Sequence, residues 1–80
     1  MSIYLITVLA NCIHICIKLK NNILKTQLFD YAKKKLSNKQ IVFLYIKIAT
    51  IDENTDTYKF FKDWIETHSV KIMHKLLYIE

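Results

Sequence analysis

The chain opens on a stretch, residues 1–17, with no formally charged side chain, and within it Ile3, Tyr4, Leu5, Ile6, Thr7, Val8 and Leu9 form a short, partly β-branched apolar run. Such a run predicts a strand over 3–10, buried on both faces. From Ile13 onward Ile13, Ile17, Leu24, Leu28, Tyr31 and Ala32 fall on one side of a helix, with Phe29 and Leu36 widening that face. Lys18, Lys25, Lys33 and Lys34 lie mostly away from it. A helix over 13–36 follows, with Lys33-Lys34-Lys35 where the helix dipole favours cations and Ser37-Asn38 as its stop. A second period competes at its start: Ile13, Ile15, Ile17 and Leu19 alternate with Cys12, His14, Cys16 and Lys18, as in a strand.

Residues 41–48, Ile-Val-Phe-Leu-Tyr-Ile-Lys-Ile, are β-branched and aromatic and nearly continuously apolar, which predicts a central strand. The polar loop 52–57 holds Asp52, Glu53 and Asp56, acids suited to a helix N-terminus. Phe60, Phe61, Trp64, Ile65 and His68 recur at three- and four-residue spacings and predict a helix over 57–68. Val70, Ile72, Leu76 and Tyr78 set against Lys71, Met73, Lys75 and Leu77 predict a last strand over 71–79. The order strand, helix, strand, helix, strand is that of an α/β layer, whose right-handed first crossover makes strands 3–10 and 41–48 parallel neighbours.

Eighty residues with a net charge of +5 make a single domain, 1–80, with a thin core. The chain has no Gly and no Pro, which removes P-loops, dinucleotide-binding glycine turns and EF-hand loops. All twelve basic residues are Lys, so the bidentate Arg fork that reads guanine is missing. Nucleic acid is not expected as a partner: the basic run Lys33-Lys34-Lys35 is already explained by the helix dipole.

Cys12 and Cys16 are the only cysteines, at the junction of the first expected strand and helix. A thiol at a helix N-terminus has a lowered pKa and a larger thiolate fraction. In a regular helix, positions i and i+4 hold their Cβ atoms about 5–6 Å apart, whereas a disulfide needs about 3.5–4.5 Å. The competing reading is two small apolar thiols packed in a core.

The stretch Cys16-Ile17-Lys18-Leu19-Lys20, after Cys12 and His14, resembles the Cys-x-His-Cys-Lys-x-Leu-Lys motif of the thioredoxin-like domains of protein disulfide isomerases. Further segments follow in that family's order: 41–48 with Ala49-Thr50 and Asp52-Glu53, then Phe61-Lys62-Asp63-Trp64, then 70–78, which is similar to Val-x-x-x-Pro-Thr-Leu-x-Tyr. The sequence departs from the pattern by one extra residue between the cysteines, by Asn21 in place of a helix-kinking Pro, and by His74-Lys75 in place of the cis-Pro and Thr. It also lacks the family's first strand and helix and its last strand and helix.

The resemblance implies a truncated thioredoxin-like layer that performs thiol-disulfide exchange on unfolded or disulfide-bearing protein substrates. Cys12 would be the nucleophile, Cys16 the resolving thiol and His74 the substrate contact. No cofactor is implied, and the compartment would be the endoplasmic reticulum lumen or another oxidising secretory space. The alternative within the same fold is a non-catalytic binding module or fragment.

Other readings compete. Were residues 11–20 a strand, Cys12, His14 and Cys16 would share a face, and His68 or His74 would complete a Zn²⁺ site. Tyr58, Phe60, Phe61 and Trp64 are core residues or, failing that, an aromatic docking face. The uncharged residues 1–17, followed by Lys18, Lys20 and Lys25, would also fit a membrane anchor, against which stand Asn11 and His14.

Overall fold

The computed structural model describes residues 2–67, with side chains from residue 5 onward. The described residues form four helices: α1 (Ser2–Leu19), α2 (Asn22–Lys35), α3 (Asn38–Ala49) and α4 (Asp56–Thr67). Among the described residues there is no strand, which overturns the α/β thioredoxin-like layer. The stretches expected as strands, 3–10 and 41–48, lie within α1 and α3. The helix expected over 13–36 is instead two helices, broken at Lys20-Asn21. The helix expected over 57–68 is α4, while His68 and the strand expected over 71–79 lie outside the described residues.

The physical reason for the first correction is that a continuous apolar run has no period of its own. Buried strand and buried helix read alike, and length must arbitrate. Leu5, Ile6, Val8, Leu9, Ala10, Cys12, Ile13, Ile15 and Cys16 are all buried, because α1 is the central helix against which α2, α3 and α4 each pack. A helix covered on several sides is apolar all round. Asn11, among the described residues the one buried polar side chain besides the Tyr58 phenol, donates from Nδ2 to the Thr7 carbonyl at 2.7 Å, so its amide is not left bare in the core.

α1 ends in a Schellman turn. Lys20 takes the left-handed conformation, φ 58°, usually reserved for glycine. The Asn21 N–H donates to the Cys16 carbonyl at 2.9 Å and the Lys20 N–H to the Ile17 carbonyl at 3.2 Å. Asn21 then starts α2, its Oδ1 accepting from the Leu24 N–H at 3.1 Å. A Pro at this position, as in the family that the sequence resembles, would have no N–H to close the turn.

Leu24, Leu28 and Ala32 form the buried stripe of α2, and Lys33, Lys34 and Lys35 fill its last turn. The next helix begins at once. Ser37 and Gln40 form a reciprocal capping box: the Gln40 N–H donates to Ser37 Oγ at 3.3 Å and the Ser37 N–H to Gln40 Oε1 at 2.9 Å. Read as the stop of one helix, Ser37 is also the start of another. α3 buries Leu44 and half-buries Ile41 and Ile48.

At its end Thr50 turns its hydroxyl back to the Ile46 carbonyl at 2.9 Å. The acids of the following loop do not all cap α4. Asp52 accepts from the Asn54 N–H at 2.9 Å, Asp56 occupies the first turn of α4, and Thr55 supplies the cap by accepting from the Tyr58 N–H at 3.2 Å.

Candidate functional site

Cys12 and Cys16 sit one turn apart within α1, Cys12 near its middle and Cys16 in its last turn, rather than at its positive end, so the dipole that would activate a thiol does not act on them. Both are free, and they are 0% and 1% exposed. Burial, with a smaller contribution from the neighbouring sulfur, pushes the Cys12 thiol up to about 12; burial pushes Cys16 up to about 11. The structure thus brings the two expected catalytic residues together on one face and denies them both water and charge. His74, the expected substrate contact, lies outside the described residues.

His14 is on the other side of the helix from the thiols, since its offset of two residues from each is about 200° of rotation. That removes the shared ligand face on which a zinc site depended. Among the described residues no group of His, Cys, Asp and Glu could hold a metal ion.

His14 belongs instead to a polar tether between α1 and the α4 end of the molecule. Its Nδ1 lies 3.2 Å from the Tyr58 hydroxyl, and the two rings meet edge to face with centroids 5.4 Å apart. The Tyr58 hydroxyl donates to Glu53 Oε1 at 3.4 Å, and Glu53 pairs with Lys18. The hydrogen bond and charge of Lys18 hold the Glu53 carboxyl below its usual range, and those of Glu53 raise Lys18. Burial pushes the Tyr58 phenol up, with the Glu53 charge adding to it and Lys18 opposing. Tyr58 thus bridges an imidazole and a carboxylate, the arrangement of a fastener rather than of an acid or base aimed at a substrate.

The aromatic cluster of α4 is mainly core: Tyr58 and Phe61 are buried and Trp64 half-buried, leaving Phe60 outside. Besides Phe60, exposed large apolar side chains are Ile17 and Leu19 of α1, Ile23 of α2 and a cluster on α3. On α3, Val42, Phe43, Tyr45 and Ile46 are 59%, 61%, 51% and 56% exposed. Tyr45 is steadied by stacking on Phe29 of α2, centroids 5.7 Å apart.

Phe43 stands between Lys39 and Lys47, one turn to either side on the same stripe. These three and Gln40 line, with Ile6 and Thr7 of α1, a groove of about 330 Å³ whose walls are mostly apolar. Sequence reasoning missed this site because it read 41–48 as a buried strand. The signal that could have found it is the capping-box pattern Ser37-x-x-Gln40, which starts a helix immediately before the apolar run.

Residues 5–16, which the competing reading would place in a membrane anchor, are buried in the bundle except for the half-buried Thr7 and His14, and among the described residues no helix is long and apolar enough to cross a membrane. No family model matches this sequence, and neither a curated protein nor a solved structure matches it.

Proposed function

We propose that this chain is a non-catalytic binding module that docks an amphipathic helix of a partner protein on the outer side of α3. The observation that carries the reading is the run of Val42, Phe43, Tyr45 and Ile46, exposed on a helix whose opposite side is already engaged with α1. A cluster of large apolar side chains beside a groove between two helices suits a third helix, whose own ridge of side chains fills the groove. It shares with the alternative of the sequence reading only the absence of catalysis, because that module was thioredoxin-like and the fold is helical.

Thiol-disulfide exchange by Cys12 and Cys16 is supported less well. Exchange needs a thiolate within reach of a polypeptide, and burial pushes both thiols up, favouring their neutral form, while closing them off from any chain outside.

The test is a titration of the full chain with a labelled amphipathic helical peptide of about 16 residues, followed by fluorescence anisotropy. Saturable binding that Phe43→Ser removes, with the melting temperature unchanged, supports the reading. No saturable binding, or binding indifferent to that substitution, discards it.

A further inference from the structure

The lining of the α1–α3 groove is lopsided in charge, and this narrows what can occupy it. Lys39 and Lys47 flank Phe43, and among the described residues no carboxylate lines the groove or lies anywhere on α3. Eight residues separate the two lysines along the helix, an axial distance of about 12 Å. We infer that the groove recognises an acidic amphipathic helix: one that seats an apolar side chain against Phe43 and presents a carboxylate about one turn to either side of centre, to Lys39 and Lys47. The inference rests on the docking reading above and adds the partner's charge to it.

Charge also argues against the nearer occupants. A second copy of this chain, at +5, would bring lysine to lysine. Residues 68–80 of the same chain carry Lys71 and Lys75 against the single acid Glu80. An anionic bilayer matches the sign, but the site beside Phe43 is a concavity walled by Ile6 and Thr7, which receives a side chain better than a flat surface.

The experiment compares three labelled helical peptides of about 16 residues with the same leucine stripe and with Glu, Gln or Lys at the flanking positions. Each is titrated against the full chain, against Phe43→Ser, and against Lys39→Glu/Lys47→Glu, at low and high salt. The Glu peptide is expected to bind about tenfold or more tightly than the Gln peptide, with a gap that narrows as salt screens it. The charge-reversed variant is expected to prefer the Lys peptide, and Phe43→Ser to lose them all.

Equal binding of the Glu and Gln peptides, unmoved by charge reversal, overturns the inference and leaves the docking reading standing. Failure of every peptide overturns both. Sedimentation showing a dimer that Phe43→Ser dissolves assigns the groove to a second copy and overturns the inference. So does Phe43-dependent binding to phosphatidylglycerol vesicles by a chain that ignores the peptides.

Discussion

Residues 5–16 of α1 and 41–49 of α3 are both nearly continuous apolar sequence, yet all but Thr7 and His14 of the first are buried, while only Leu44 of the second is. α1 is enclosed because α2, α3 and α4 each pack on it, whereas the main contact of α3 is with α1 alone. A helix can bury only as many stripes as it has neighbours, so apolarity is consumed at the centre of the bundle and left over at its edge. The thiols fall on the consumed side of that divide. Phe43 and its flanking lysines fall on the other.

The sharpest way to break the comparison is to truncate one side chain from each helix. Leu9→Ala is expected to cost about 2–5 kcal/mol, since Leu9 is fully buried, and Ile46→Ala to stay within about 0.5 kcal/mol. Urea denaturation followed by circular dichroism measures both. Comparable costs would mean that the outer side of α3 is covered in solution, and the contrast would be gone.

Alkaline titration probes the enclosed helix next. The thiols carry raised pKa values in the fold, about 12 for Cys12 and about 11 for Cys16 against 9.0 for the unperturbed group. Above the unfolded value the unfolded chain releases protons that the native chain retains. Stability contributed by neutral, buried thiols is therefore full below pH 9.0 and is lost as pH rises through about 11 and about 12. Cys12→Ala/Cys16→Ala should flatten part of the fall in melting temperature over that range. An identical fall in the double variant would show that the thiols already meet solvent.

A smaller effect is expected where α3 begins. With so little of the helix buried, its capping box matters in proportion, and Ser37→Ala should cost about 1 kcal/mol, with faster amide exchange in the first turn of α3. Unchanged exchange there would show that packing on α1 alone sets the helix start. The least effect belongs to the joint between α1 and α2. Lys20→Gly, relieving the left-handed strain at φ 58°, should stabilise the fold by about 0.5–1 kcal/mol. A loss of stability would mean that the lysine side chain does something its backbone does not.

Legibility in the sequence followed the presence of a period. α4 was readable from Phe61, Trp64 and Ile65, and the stripe of α2 from Leu24, Leu28 and Ala32, because apolar positions there are separated by polar ones. Residues 3–10 and 41–48 offer no such spacing, and their β-branched residues favoured the wrong element. The redox role implied by the motif around Cys12, His14 and Cys16 depended on Cys12 standing at a helix entrance, whereas Cys12 lies well inside α1. Of the α1–α3 groove only the α3 side had a sequence signal, the Ser37-x-x-Gln40 cap, since Ile6 and Phe43 are far apart in sequence and line one groove only once both runs are helical.

What the sequence determined by itself is local: that a helix stops at Ser37-Asn38 and another runs through Phe61, Trp64 and Ile65, that Cys12 and Cys16 share a face in any helix, and that every Lys/Arg position is a lysine. Tertiary structure alone decided which apolar run became the centre and which the edge. Hydrophobic burial is a non-directional property of area, so a sequence states how much apolar surface each segment carries, and only the arrangement of neighbours states how much of it is covered.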